Sequence, residues 1–349
     1  MPKEKLVDTI ENEFGIDYLG FLQEIDEPEN YIGSAYLPVQ EEFDYDWVYH
    51  IFDNTTAMAK IMSRGDAEAP IVGGPAIKKV AGSVVPFGQK FEVNKAILNK
   101  IFNPRNDNEL KRNLRQILDE SARNVRSAQA RREWLRWQVM AKGAIVFNDK
   151  DENERLAVDF GVPSKHKIDS SALEGDSWDG ASPKPLSDLI AACETYFSTN
   201  DEMPSNIVMR RAELRKLTGS TEVASEFSDN ATRISLSVIN DYLVSLGYPE
   251  IITYDEFVKH EDKKGRPTVT EYFVPKGRVV LVKQSAGQAI EDTGRLVMGP
   301  VAENDFQPGI FTTIYEENDP KKYWHFMKTE MWPAVYNPEY VFYMDVLSA

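Results

Sequence analysis

Leu110, Leu114, Ile117, Ser121, Val125, Ala128, Arg132, Leu135 and Val139 recur at spacings of three and four, forming one continuous stripe. The spacing predicts a helix over residues 107–142. Asn106 with Glu109 three residues later reads as a capping box, and Lys142-Gly143 as a stop. At about 1.5 Å per residue the rod is roughly 54 Å long, more than a compact domain needs. Ahead of it, residues 1–54 carry a short helical pattern (Leu6, Val7, Ile10, Phe14), then "EIDEPENYIGSAYLPVQEEFDYDW", broken by Pro28, Gly33 and Pro38. That stretch predicts an extended arm with apolar anchors, in need of a surface to lie on. Between arm and rod, residues 58–98 alternate short β-branched runs with glycines and prolines, which predicts a kinked two-stranded excursion. Such a hairpin is marginal alone, so it is expected to rest on another subunit.

After the rod, "GAIVFND" and "RLAVDFGVP" read as two strands joined by "KDENE". Residues 164–185 form a polar loop with Trp178 as its anchor. Beyond it, helices are predicted at "LSDLIAACETYFST", "RRAELRKLTG" and "ATRISLSVINDYLVSLG". Strands are predicted at "SNIVM", "EIITYD", "PTVTEYFV", "RVVLVKQ", "RLVMGP" and "FTTIYEE", with "KHEDKKGRP" as a turn or hairpin tip. This mixed order is α+β. The tail, "YWHFMKTEMWPAVYNPEYVFYMDVL", reads as two or three strands that pair with something earlier in the chain.

Charge sharpens this picture because it is unevenly placed. The formal net charge is -16 and the pI near 4.9. Residues 1–54 hold fourteen acidic groups against Lys3 and Lys5, whereas residues 105–142 hold ten basic groups against five acidic ones. Segments of opposite sign pair within one chain or between copies, or are solvated independently. Arg112, Arg115, Arg123 and Arg126 lie on a face of the rod away from the apolar stripe, yet overall acidity and the absence of a helix-turn-helix, zinc or basic-zipper context argue against a nucleic-acid reader. Ser121 and Ala128 at the centre of the stripe argue against a membrane-surface helix. The N-terminal stretch lacks the apolar core of a signal peptide, and no apolar run is long enough to span a bilayer.

The search for chemistry returns little. The histidines at 50, 166, 260 and 325 show no metal-ligand spacing, and His325 reads as a packed side chain. "VGGPAIKK" lacks the spacing of a phosphate-binding loop, and no dinucleotide or nucleophile-elbow motif occurs. Cys193, the single cysteine, sits at a core position, and "RGD" at Arg64–Asp66 is a common chance tripeptide. No catalytic residue, metal or cofactor is expected.

Taken in order, "FEVNKAILNKIFNP", "LRQILDESARNVRSAQARREWLRWQVMAKGAIVFND", "VDFGVP" and "WPAVYNPEYVFYMDVLSA" make the chain resemble the major capsid proteins of tailed bacteriophages, in particular the phage lambda major capsid protein E family. The resemblance implies an α+β, Hong Kong 97-type capsid fold: an N-terminal arm (1–54), an extended β-hairpin loop (55–95), a peripheral domain (96–184) with the spine helix 107–142, an axial α+β domain (185–318), and C-terminal strands (319–349) that return to the peripheral domain. It implies a non-enzymatic major head protein that self-assembles as hexamers and pentamers into an icosahedral shell around double-stranded DNA. The implied partners are copies of itself, a scaffolding protein, a portal, a decoration protein where the phage has one, and packaged DNA held non-specifically, without a membrane. The implied place is the virion, assembled in the host bacterial cytoplasm. Arg64, Lys78, Lys79, Arg123 and Arg126 are the candidate inter-subunit contacts. Some members of the fold crosslink Lys to Asn, but no motif around Lys60, Lys78 or Lys79 carries that chemistry. The alternatives are an encapsulin-like compartment subunit, or a nucleic-acid-binding protein or enzyme that uses the basic helix.

Overall fold

The computed structural model describes residues 5–52, 77–149, 154–227, 234–261, 267–287, 292–319 and 321–348. The predicted rod is one helix, Asp107–Lys142, of 36 residues. The Asn106 side chain accepts from the Glu109 N–H at 2.9 Å, while Glu109 reaches back to the Arg105 N–H at 3.1 Å, one residue before the position a capping box would give it. At the other end Gly143 takes a left-handed φ of 63°, and its N–H returns to the Val139 carbonyl at 2.8 Å. A Cβ at Gly143 would stand 2.6 Å from Val162 Cγ2.

The spine helix changes character along its length. Its first half buries the stripe Leu114, Ile117, Ser121, Val125 and Ala128 and exposes Arg112, Arg115, Arg123 and Arg126, whereas every residue from Glu133 to Ala141 is buried. A helix buried on all sides must be enclosed, and one buried on a stripe needs one covering layer.

The covering layer of the first half is the arm. Residues Lys5–Phe14 and Tyr18–Gln23 are helices, and their Leu6, Val7, Ile10, Tyr18 and Leu22 share a core with Leu114, Ile117 and Val125. The helical pattern expected at Leu6–Phe14 is present, Tyr18–Gln23 adds a helix where extended chain was expected, and the surface both lie on is the chain's own spine. Beyond Gln23 the arm runs irregularly, with a 3-10 turn at Ile32–Ala35 and a short strand at Val39–Glu41.

A five-stranded sheet crosses the spine. Its organising member is Lys321–Val335, which pairs antiparallel with Ile310–Asn318, Val85–Glu92 and Gly294–Met298; Val39–Glu41 adds in parallel beyond Gly294–Met298. The tail strands thus find the earlier partners anticipated for them. The excursion divides: Ile77–Ser83 pairs with Asp46–Phe52, ahead of the expected start of the loop, and Val85–Glu92 leaves the hairpin for the large sheet. Arg64, Lys60 and most of "VGGPAIKK" lie outside the described residues. Ala144–Asp149 and Glu154–Asp159 form the expected antiparallel pair.

The α+β region is built on a second sheet, ordered Lys167–Ile168, Phe342–Asp345, Arg278–Val282, Asn206–Met209, Glu250–Thr253. Val208, Val280 and Val282 share a core with Trp137 and Met140 of the spine, while Ile207, Met209, Val279 and Leu281 share another with Leu189, Cys193 and Tyr196 of helix Pro185–Asn200. Alternate residues therefore enter different cores, which is why "RVVLV" reads as an unbroken apolar run. Helix Thr221–Glu226 lacks a signal in the sequence reading, and the helix expected over "ATRISLSVINDYLVSLG" begins only at Leu236. Arg278 ties sheet to spine: it holds Asp345 with two nitrogens, at 2.8 and 2.6 Å, and donates to the Ala141 carbonyl at 2.7 Å.

Replacing Gly143 by alanine is expected to cost about 1–2 kcal/mol, the penalty for a side chain in left-handed backbone. A lowered guanidinium midpoint with an unchanged m-value is the readout.

Candidate assembly interface

Glu133 and Arg136 stand one turn apart in the enclosed half of the spine, and neither side chain is exposed. A buried charge costs several kcal/mol unless it is paired and hydrogen-bonded, so the partners of these two determine what must pack around them. Glu133 Oε1 accepts from the Gly33 N–H at 2.9 Å, the Trp137 indole at 2.7 Å and the Tyr254 hydroxyl at 2.6 Å. Its Oε2 faces Arg136 Nη1 at 3.3 Å. Arg136 also donates to the Leu37 carbonyl at 2.9 Å and to Glu27 at 3.0 Å, and the other Glu27 oxygen takes Arg132 at 3.1 Å. The clasp joins the arm (Glu27, Gly33, Leu37) to the spine and, through Tyr254, to the α+β region. Gly33 has no room for a side chain, since a Cβ would lie 2.6 Å from Glu133 Oε2.

Burial opposes ionisation of Glu27, but the Arg136 and Arg132 guanidiniums outweigh it and hold the carboxyl below its ordinary range. Burial and the Glu133 charge push the Tyr36 hydroxyl up to about 12 and raise that of Tyr254 further. Two of the arginines in "RSAQARREWLRWQVMAKG", Arg132 and Arg136, are thus paired with acid from the arm of the same chain, each through Nη1. Lys111 and Glu13 repeat the pattern at 3.2 Å nearer the helix start.

A second polar knot lies where the long strand crosses the small-residue part of the stripe. The Tyr18 hydroxyl donates to Ser121 Oγ at 2.7 Å, and His325 Nδ1 lies 3.0 Å from the same oxygen. His325 Nε2 faces Glu120 at 3.4 Å, and the imidazole packs on Phe91 with centroids 4.6 Å apart. His325 is packed, as expected, but it also bridges strand and spine. Sequence reading missed this role of Ser121, and it missed the clasp. The available signal was two charges inside a helical segment, residues 133–141, whose other members apart from Gln138 are apolar or aromatic.

The titratable side chains singled out by the sequence are engaged within the fold. Cys193 is buried, and burial together with the Glu194 charge pushes its thiol up to about 12. His166 contacts the Val341 carbonyl at 3.2 Å and Thr199 at 3.0 Å, and burial lowers its pKa. Asp188, raised by burial, holds the Trp178 indole at 2.9 Å, which anchors the polar loop as predicted. No group of three His, Cys, Asp or Glu side chains suited to a metal occurs among the described residues. A groove of about 480 Å³ between arm, spine and Ile310–Asn318 has Glu41 and Arg132 as its charged lining.

The surface features are of another kind. Arg123 and Arg126 are exposed, and neither forms an ion pair among the described residues; Arg123 lies within electrostatic reach of Glu120. Lys79 is exposed on the hairpin strand, and Lys78 precedes it there. The candidate contacts therefore stand on two separate elements, and the fold does not gather them into one cluster. Phe43, Tyr45 and Val48 are 66%, 43% and 50% exposed where the arm enters the hairpin.

The family described as Phage major capsid protein E matches residues 20–346. A prophage protein of E. coli CFT073, described as its proposed capsid protein, shares the fold at TM-score 0.61 and 16% identity, over 96% of this chain and 98% of that one. A phage-related protein from Bordetella bronchiseptica RB50 does so at TM-score 0.56 and 15% identity, over 95% and 97%. The capsid of Myoviridae phage XM1 aligns at TM-score 0.50 and 9% identity, over 93% and 95%. At these identities the likeness is one of fold, and the fold is the α+β capsid architecture that the sequence resemblance implies. No relative matches among curated proteins.

Glu27→Gln is expected to destabilise the subunit by about 1–3 kcal/mol at neutral pH, because Arg132 and Arg136 lose their shared anion. Since the folded-state pKa lies below the ordinary 4.5, this contribution is present above that pH and is lost as pH falls through the folded value. Denaturant titrations from about pH 7 to about pH 3 should show a steeper acid loss in the parent chain than in the variant.

Proposed function

The chain belongs to the phage major capsid protein E family, and from that membership we propose how its parts serve a shell. It is a capsid protein: its copies assemble into the shell of a virion. In our reading the shell is icosahedral, built of hexamers and pentamers, and encloses double-stranded DNA. The spine helix and the strand Lys321–Val335 form the peripheral domain, and the region from 185 to 318, which gives three strands to the second sheet and Gly294–Met298 and Ile310–Asn318 to the first, lies axially at the capsomer centre. The protein acts structurally and without a cofactor. Assembly takes place in the host bacterial cytoplasm with a scaffolding protein and portal, and with a decoration protein where the phage has one.

The observation that carries this reading is the hairpin Asp46–Phe52 with Ile77–Ser83, which has no third strand among the described residues. A two-stranded ribbon is marginal in water, and a neighbouring subunit supplies the missing surface. On this reading Arg64, Lys78, Lys79, Arg123 and Arg126 contact neighbours.

Negative-stain electron microscopy of the purified protein, alone and with the scaffold of its phage, is expected to show hollow particles or capsomers. A monomer that never assembles under either condition would sink the reading. Particles filled with a cargo protein and no nucleic acid would move it to an encapsulin-like compartment.

A further inference from the structure

Besides their shared apolar core, the arm and the spine meet through opposite charges at two places: Glu27 with Arg132 and Arg136, and Glu13 with Lys111. Two matching surfaces are left over. On the spine, Arg123 and Arg126 are exposed one turn apart. At the end of the arm, the run Phe43, Asp44, Tyr45, Asp46 is wholly exposed, with Val48 beside it, and neither Asp44 nor Asp46 has an ion-pair partner among the described residues. The backbone that displays the run is fixed. The Glu42 N–H donates to the Met298 carbonyl at 2.8 Å, the Val84 N–H donates to the Tyr45 carbonyl at 3.0 Å, and Glu42 is held by the Tyr49 hydroxyl at 2.6 Å.

We infer that the Phe43–Asp46 run of one copy docks on Arg123 and Arg126 of a second copy. The inference rests on the shell reading above and names the surfaces through which two copies engage. Charge complementarity carries it: two carboxylates two residues apart, on the bend that leads into the hairpin, meet two guanidiniums one turn apart on the helix. The aromatics supply what ion pairs lack at a surface. Exposed pairs contribute little by themselves, whereas arginine with tyrosine or phenylalanine, excluded from water, is the composition of interface hot spots. Arginine over an aromatic ring already recurs inside the subunit, as with Arg210 over Tyr272 at 3.6 Å and Arg278 over Tyr343 at 4.5 Å. Of the exposed acids on the arm, Asp44 and Asp46 are the ones interleaved with exposed aromatic rings.

A charge exchange tests this in the full-length chain. Arg123→Asp with Arg126→Asp, and separately Asp44→Arg with Asp46→Arg, should each reduce the assembled fraction at least about tenfold, corresponding to about 1.4 kcal/mol per contact. Circular dichroism and the melting temperature of the unassembled subunit should stay unchanged, because all four side chains are exposed. The chain carrying all four substitutions should recover assembly to near the parent level. Parent particles without such recovery would overturn the pairing while leaving the shell reading intact; absence of parent particles would overturn the shell reading itself. Normal assembly of the arginine variant, with loss of salt-dependent duplex DNA binding, would overturn the pairing and give the stripe to nucleic acid.

Discussion

The subunit depends on two charges that water cannot reach. Once Glu133 and Arg136 are carried into the interior by the apolar residues around them, their remaining hydrogen-bonding capacity has to be filled, and the fillers come from distant parts of the chain. A carboxylate with three donors on one oxygen specifies position far more narrowly than an apolar contact of equal area. The irregular path of the arm between residues 24 and 45 follows from this requirement, because Glu27, Gly33 and Leu37 each meet the clasp at a fixed atom.

The spine helix is the member shared by otherwise separate cores. Its first half belongs to the core capped by the arm, and its second half to the core that it forms with the two sheets. The far face of the second sheet closes a third core, which contains no spine residue. The arm and the α+β region are therefore anchored on one continuous helix, the latter also through Arg278, which donates to the Ala141 carbonyl near the helix end.

Periodicity made the spine, its caps, the tail strands and most of the α+β elements legible, because each signal is local: spacing of three and four, alternation, a glycine at a stop. The first helix of the arm was legible in Leu6, Val7, Ile10 and Phe14, but the second, Tyr18–Gln23, has only six residues and merges with the irregular chain that Pro28, Gly33 and Pro38 announce. The clasp was half legible. The charges of Glu133 and Arg136 are plain in "RREWLRW", but nothing local says that Glu27 rather than a phosphate or a neighbouring subunit answers them, since the partner lies 109 residues away. The knot at Ser121 was hidden for the same reason, with partners at separations of 103 and 204.

Those separations bear on the time at which the subunit becomes complete. Loops of one to two hundred residues must close before Tyr18, Gly33 and His325 reach the spine, and such contacts are made late and slowly. During synthesis the spine emerges before the strand that crosses it, so Ser121 has its arm partner Tyr18 available but lacks His325 until the strand has been made. The same strand pairs with Val85–Glu92, which continues from the hairpin. A partly made chain therefore lacks the strand that supports the base of the hairpin.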